Sequence, residues 1–186
     1  SKLPEYLKQN PEVSLELCLS NRTVDLVEER FDAVFRTGEL ADSQLLARTL
    51  APYQMVICAA PAYLDEAGTP LAPQDLTRHQ CLIFTHTSMR TEWKFEGPGG
   101  QVSVPVTGRF KTDNSEALLA AALSGLGIIM QPHPLMSADI AAGRLVRILP
   151  DYELPGRPVH VLYAQDRRMT PRLRSFIDFC ITHFGP

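Results

Sequence analysis

The sequence predicts an α/β chain folded into two lobes, and three observations indicate this. Helical and strand-like patterns alternate along the first sixty residues, which favours mixed, mostly parallel sheets flanked by helices. The 186 residues are 45% hydrophobic and 21% charged, which is enough apolar material for a sizeable core. From Pro61 onward the elements become shorter and richer in turns, so we expect a second lobe to begin there.

The first lobe is predicted from a succession of short patterns. A helix covers residues 4–9, and residues 13–19 alternate between apolar and polar positions as a strand does. Asn21 can cap a second helix whose apolar residues 26–27 face inward, and residues 31–36 return to strand. These elements predict β-α-β connectivity.

Two further strands are predicted at residues 45–50 and 53–60. The second contains the apolar run Met55 to Cys58, which suits a strand covered on both faces. Residues 53–60 and 159–164 are the strands expected to cross between the lobes.

The second lobe is predicted to hold a helix at residues 62–67, a buried strand at 81–84 and a hairpin of strands 92–96 and 101–105. Trp93 lies in this hairpin and could stack on a ligand. Packing in the core is the favoured interpretation, because a tryptophan hides a large apolar area.

A capped helix is predicted at residues 115–124. Residues 112–114 can each cap its start, and residues 125–127 end it before a strand at 128–130. Residues 132–134 then begin another helix. Gly125-x-Gly127 lacks the third glycine of a dinucleotide fingerprint and follows a helix, so we interpret it as a helix terminator.

The last helix has the clearest pattern in the chain. Thr170 caps it, Pro171 lies in its first turn and Gly185 ends it. Six apolar side chains at helical spacing form its buried stripe. They are Leu173, Phe176, Ile177, Cys180, Ile181 and Phe184.

Composition argues against several classes of protein. The net charge of -3 and the pI near 5.9 leave no field that would attract a phosphate backbone, and no apolar run approaches the length of a membrane helix. The four cysteines are far apart in apolar surroundings, so we expect small buried hydrophobes with reduced thiols, which indicate the cytoplasm. They are Cys18, Cys58, Cys81 and Cys180.

Signatures of catalysis and of metal binding are absent from the sequence. It contains no nucleophile elbow, P-loop or zinc-protease motif, and its five histidines show no metal-ligand spacing. We therefore expect no enzyme, no cofactor and no metal. His86 and His133 each follow a short buried strand, where open sheets bind ligands; the alternative for both is an ordinary surface or core position.

Arg36, Thr37 and Gly38 are the candidate binding residues of the first lobe. A guanidinium at a strand end can hold a carboxylate through two parallel hydrogen bonds. The alternative is an arginine paired with Asp32 or Glu39. The sequence favours neither the ligand-binding role nor the ion pair.

The start of the helix at Ser115 is the candidate anion site of the second lobe. Its free N–H groups and positive dipole end attract anions, and Asn114 can both cap and bind. Capping without a ligand is the alternative, and the carboxylate of Asp113 would oppose an anion.

The segment from Asp25 to Gly38 reads D-L-V-x-x-x-F-D-x-x-x-R-x-G, and Asp42 to Arg48 reads D-S-x-L-x-A-R. These motifs resemble the effector-binding domain of LysR-type transcriptional regulators, and the resemblance covers nearly the whole chain. Six further segments match in order. They are 59–64, 73–76, 79–82, 120–128, 143–146 and 171–179.

The resemblance implies a two-lobed fold like the type 2 periplasmic binding proteins. Residues 1–58 and 161–186 would form lobe I and residues 59–160 lobe II, with a small-molecule effector between them. The resemblance also implies a homodimer or higher homo-oligomer that contacts DNA only through an N-terminal winged helix-turn-helix absent from this sequence. Carried over by position, the effector-binding residues would be Arg36, Thr37, Gly38, Phe84, Thr85, His86, Asn114, Pro132 and His133.

A solute-binding protein of a transport system shares the implied architecture and is the main alternative. Such a protein is exported, and the sequence shows neither a secretory signal nor paired cysteines. An anionic effector sensed in the cytoplasm, with no membrane partner, is the function that the sequence favours.

Overall fold

A computed structural model divides the chain into two compact units. The residues that it describes are 2–20, 24–38, 40, 45–85, 91–164 and 169–185. Unit 1 comprises the chain up to Pro52 together with the part from Arg157 onward, and unit 2 comprises Tyr53–Gly156. Both boundaries fall earlier in the chain than the predicted lobe limits after residues 58 and 160, and the assignment of functional lobes stays a prediction.

The helices and strands follow the predicted alternation over most of the chain. In chain order they are α1 (Leu3–Gln9), β1 (Val34–Thr37), β2 (Leu45–Tyr53), β3 (Met55–Ala59), α2 (Pro61–Ala67), a 3-10 helix (Pro73–Arg78), β4 (Cys81–Phe84), β5 (Glu92–Gly97), β6 (Gly100–Pro105), β7 (Lys111–Thr112), α3 (Ser115–Leu123), β8 (Ile128–Pro132), α4 (His133–Ala141), β9 (Val146–Arg147), β10 (Arg157–Ala164) and α5 (Pro171–Phe184).

Unit 1 is built on a three-stranded sheet in the order β1-β10-β2, with β1 antiparallel to β10. Tyr6 of α1 and Phe179 of α5 pack together in its core, with ring centroids 4.9 Å apart. The predicted cap of α5 is confirmed, because the N–H of Leu173 donates to the Thr170 hydroxyl at 3.2 Å. Two members of the predicted apolar stripe of α5 are exposed, Ile181 at 37% and Phe184 at 41%, and Phe179 is buried instead.

The predicted strand at residues 13–19 is wrong. The structure assigns no strand there, and Leu17 and Leu19 are 57% and 87% exposed. A strand requires a hydrogen-bonded neighbour as well as alternating side chains. No described strand pairs with this segment.

The predicted helix around residues 26–27 is replaced by turns. The Asp25 carboxylate accepts hydrogen bonds from the N–H groups of Val27 (2.8 Å) and Glu28 (2.9 Å). Leu26 is buried as expected, but Val27 is 65% exposed, so only one of the pair faces inward. Asn21, the predicted cap, lies outside the described residues.

Unit 2 contains a five-stranded sheet in the order β7-β4-β8-β3-β9 and a separate hairpin of β5 and β6. The sheet is mixed, as predicted, although parallel pairs do not predominate. Strand β4 is parallel to β7 and β8, whereas β3 is antiparallel to β8 and β9.

Both faces of this sheet are covered, as expected from the apolar sequence of β3. On one face Ile57 and Met130 pack with Trp93 of the hairpin, which confirms the packing interpretation of that tryptophan. On the other face Cys58 packs with Leu118 of α3 and with residues of α4. The side chains of β3 therefore alternate between two cores.

Three of the four cysteines are buried, as predicted, and burial raises the pKa of each of their thiols. The pKa rises to about 12 for Cys58 and Cys81, and to about 11 for Cys180. Such thiols are unreactive at neutral pH. Cys18 is exposed, because it lies in the segment that forms no strand, so its predicted burial is wrong.

Candidate functional site

Three strands of unit 2 end along one edge of its sheet. Strand β4 runs parallel to β7, with Phe84 opposite Thr112, and parallel to β8, with Leu82 opposite Ile129. The carboxyl ends of parallel strands lie side by side, which is where open α/β sheets bind ligands. We call the segments Phe84–Thr85, Thr112–Asn114 and Gln131–His133 the carboxyl edge of unit 2.

Hydrogen bonds connect the segments of the carboxyl edge to their neighbours. The N–H of Thr85 donates to the carbonyl of Thr112 at 2.9 Å, and the N–H of His133 donates to the carbonyl of Gln54 at 2.8 Å. Phe84, Thr85 and Pro132 are half-buried here. The predicted site residues of the second lobe that the structure describes therefore lie along a single edge.

Asn114 caps helix α3, as predicted. Its Oδ1 accepts the N–H of Ala117 at 2.8 Å, and its own N–H donates to the Thr112 hydroxyl at 3.1 Å. Two of the first four N–H groups of the helix are therefore satisfied, and for the other two, of Ser115 and Glu116, no acceptor is found among the described residues. A second role for Asn114, in binding, remains a prediction.

Helix α4 also begins at the carboxyl edge. Its first residue is the exposed His133, and its N-cap is Pro132, which makes no side-chain cap hydrogen bond. Met136 of α4 and Leu118 of α3 belong to one buried cluster, so both helices cover the same face of the sheet. Two helix starts, each with a positive dipole end, thus lie on one face at one edge.

Gln131 is a residue that the sequence reasoning missed. It is only 4% exposed and is one of the few buried polar residues. Among the described residues we find no hydrogen bond of its side chain. The sequence could have drawn attention to Gln131, because it is a polar residue within the otherwise apolar strand Ile128–Pro132.

The candidate site of unit 1 is at the end of β1. The Arg36 guanidinium donates through Nη2 to the carbonyl of Val24 at 2.6 Å, a structural contact that was not among the predicted alternatives. Thr37 is exposed, and Gly38 has a φ of 94° and donates its N–H to the carbonyl of Pro158 at 2.9 Å. A positive φ of this size favours glycine.

The histidines of the described residues have ordinary surroundings. His79 is buried, and its Nδ1 lies 3.1 Å from the Tyr63 hydroxyl. Burial lowers its pKa, so the neutral imidazole is favoured. His160 lies beside Thr49, and His183 packs on Phe179. His86, a predicted effector-binding residue, lies outside the described residues.

Metal-binding clusters and membrane-spanning helices are both absent from the described parts of the chain. No group of three or more histidine, cysteine, aspartate or glutamate side chains is arranged there to hold a metal ion. None of the helices described has both the length and the apolar character needed to cross a membrane.

Comparison with known proteins identifies the fold. The LysR substrate binding domain model matches residues 2–185. The chain is 36% identical to the HTH-type transcriptional regulator PtxR of Pseudomonas aeruginosa over 97% of its length, and 34% identical to the regulator YhjC of Escherichia coli over 96%. It spans 58% and 60% of those two proteins.

Solved structures agree with the sequence relatives. The regulatory domain of CrgA, a LysR-type transcriptional regulator from Neisseria meningitidis, matches with a TM-score of 0.87 and 32% identity, covering 99% of this chain and 90% of that domain. Full-length AphB of Vibrio cholerae matches with a TM-score of 0.84 and 27% identity over 98% of this chain and 62% of its own. The predicted α/β fold class is confirmed, and the chain belongs to the LysR substrate-binding domain family.

Proposed function

We propose that this chain is the effector-sensing domain of a LysR-type bacterial transcriptional regulator and that its effector is a small anionic metabolite. The family match over residues 2–185 supports the regulatory role. The observation that carries the ligand class is the pair of helix starts, α3 and α4, on one face of the carboxyl edge. The N–H groups of the α3 start and the dipoles of both helices favour a carboxylate or another oxyanion there. At α4 the dipole is the main contribution, because the N–H of His133 is donated to Gln54 and Pro134 has none.

The anion would lie against the first turns of α3 and α4, bordered by Phe84, Thr85 and His133. Two carboxylates oppose it, because the exposed Asp113 and Glu116 lie at the α3 start. Helix dipoles lose strength in salt, so an exposed anion at these starts would bind weakly unless further groups contribute. Arg36, Thr37 and Gly38 of unit 1 stay predicted contributors.

Transcriptional control would need a DNA-binding part outside this chain. The net charge of -3 gives these residues no attraction for phosphates. We propose that the chain acts in the cytoplasm as a homodimer or higher homo-oligomer. Effector binding would shift the equilibrium between two states of the protein. The free energy of that shift cannot exceed the difference between the binding free energies of the effector for the two states. Its relatives PtxR and YhjC are transcriptional regulators and give no support to the alternative of a transport protein.

A thermal-shift titration with acetate, pyruvate, succinate, benzoate and sulfate tests the ligand class. A ligand at a hundred times its Kd stabilises a protein by about 2.7 kcal/mol, which is roughly 5–10 °C for a chain of this size. We expect at least one carboxylate to raise the unfolding midpoint in this range. If none of the probes raises the unfolding midpoint, the proposal of an anionic effector is wrong.

Two capping variants locate the site. Asn114→Ala and Thr170→Ala each remove a side-chain cap, of α3 and of α5, and should lower stability by a similar amount of about 1 kcal/mol. Only Asn114→Ala should also weaken ligand binding. If the ligand raises the unfolding midpoint of both variants by the same amount, the α3 start is not part of the site.

Asp113→Asn, which deletes an opposing charge, should strengthen ligand binding.

A further inference from the structure

Gln131 occupies an unusual position in strand β8. Its antiparallel partner is Val56, which belongs to the cluster beneath α3 and α4, so the amide lies on the face that these two helices cover. Continuing the register of β4 and β8 places Phe84 on its other side. Both flanking side chains are apolar and cannot bond an amide.

The side chain of Gln131 is nearly enclosed, but its amide is not sealed from solvent. Gln131 is 4% exposed, and no hydrogen bond of its side chain is found among the described residues. Those residues contain no fully buried side-chain nitrogen or oxygen without a partner, so the Gln131 amide keeps a small opening. Leaving a buried amide unpaired is costly, whereas an apolar residue of the same shape would fit this core without that cost.

Gln131 lies where an anion is expected. Gln131 immediately precedes Pro132 and the start of α4, and Thr112, before the start of α3, is on the same row across the sheet. The N–H groups at the α3 start, the positive dipole end of α4 and a side-chain amide are therefore brought to one edge. The α3 N–H groups and the amide can donate to an oxyanion. At α4 the N–H of His133 is donated to the carbonyl of Gln54 and Pro134 has none, so that helix contributes mainly its dipole.

We propose that Gln131 is a ligand-binding residue, whose amide nitrogen donates to a carboxylate oxygen of the effector at the carboxyl edge of unit 2. This rests on the proposed function and deepens it. An uncharged donor, unlike an arginine, leaves the charge of the ligand to be balanced by the helix starts. Gln131 is thus a determinant of specificity that lowers the stability of the unliganded protein.

Gln131→Met tests this without any ligand. The change keeps the approximate shape of the side chain and removes the unpaired amide, so the unfolding midpoint of the unliganded chain should rise, by about 2–4 °C. A structural role for the amide predicts the opposite sign. A midpoint that falls would overturn the proposal.

Titration of the same five probes supplies the second measurement. For each probe that shifts the wild type, Gln131→Met should raise Kd about tenfold or more, and Gln131→Glu, which is an acceptor with a negative charge, should raise it further. Unchanged Kd values in both variants would overturn the role of Gln131 while leaving the anionic effector in place. A wild type that no probe stabilises would instead overturn the ligand class on which both rest.

Discussion

Unit 2 gathers its candidate residues from distant parts of the chain, whereas unit 1 presents its own from a single tripeptide. Phe84, Asn114 and Gln131 are far apart in sequence, yet the parallel register brings them to one edge. Arg36 and its two successors are adjacent in sequence, and the guanidinium bonds the carbonyl of Val24. A sheet edge can therefore assemble a site from segments that each look ordinary in sequence.

The two units also differ in packing. The strands of unit 2 at the centre of its sheet are buried on both faces, and every residue of β3 is buried. In unit 1 most of β2 is exposed, with Leu50 the only buried residue among its nine. We expect unit 2 to tolerate substitutions poorly and β2 of unit 1 to tolerate them well.

The largest effect is expected from Gly108→Ala in unit 2. A Cβ at this position would overlap the carbonyl oxygen of Cys81, so the backbone beside β4 must move. We predict a loss of about 4 kcal/mol or more in the free energy of unfolding, measured by urea denaturation. Gly99→Ala meets nothing within 4 Å and should change stability by no more than about 0.5 kcal/mol. Equal stability of the two variants would contradict the close packing described for unit 2.

A pair of leucine truncations compares the units directly. Leu118 of α3 is fully buried, and Leu118→Ala should cost about 2–5 kcal/mol. Leu46 of β2 is 39% exposed, and Leu46→Ala should cost well under half as much. Urea denaturation measures both losses of stability, because at equal m-values a change in the midpoint reports a change in the free energy of unfolding. A Leu46→Ala variant as unstable as Leu118→Ala would show that another surface covers β2.

Arg36→Ala tests whether the arginine of unit 1 stabilises the fold or binds the ligand. Loss of the hydrogen bond to the Val24 carbonyl should lower stability by about 1–2 kcal/mol. The matched control is Arg174→Ala on the exposed side of α5, which should change stability by no more than about 0.5 kcal/mol. If Arg36→Ala is as stable as the control but binds carboxylates less tightly, the guanidinium serves the ligand and not the fold.

The smallest effect is a pH dependence from His79. Burial lowers its folded-state pKa below the ordinary value of 6.5, so the unfolded chain binds the proton more readily. The contribution of His79 is therefore fully present above pH 6.5 and is lost as the pH falls from 6.5 toward the folded-state pKa. Denaturant titrations between about pH 7.5 and 5 should show this slope, and His79→Gln should flatten it. A slope that survives the substitution would assign it to other groups.

The sequence alone predicted the elements whose signals are local. The apolar stripe and cap of α5 require only neighbouring residues, as do the hairpin turn between β5 and β6 and the Asn114 cap of α3. The motif order was also sufficient to recognise the family. The helices, caps and hairpin depend on interactions within about a dozen residues, which sequence patterns report directly.

The tertiary structure decided whatever depends on a distant partner. Residues 13–19 alternate like a strand but have no described neighbour to pair with, and Cys18 is therefore exposed. The burial of Gln131, its place beside Val56 and the turning of Arg36 toward Val24 follow from register and packing between remote segments. Hydrogen-bond partners at this range are chosen by the assembled sheet, so no local pattern could have predicted them.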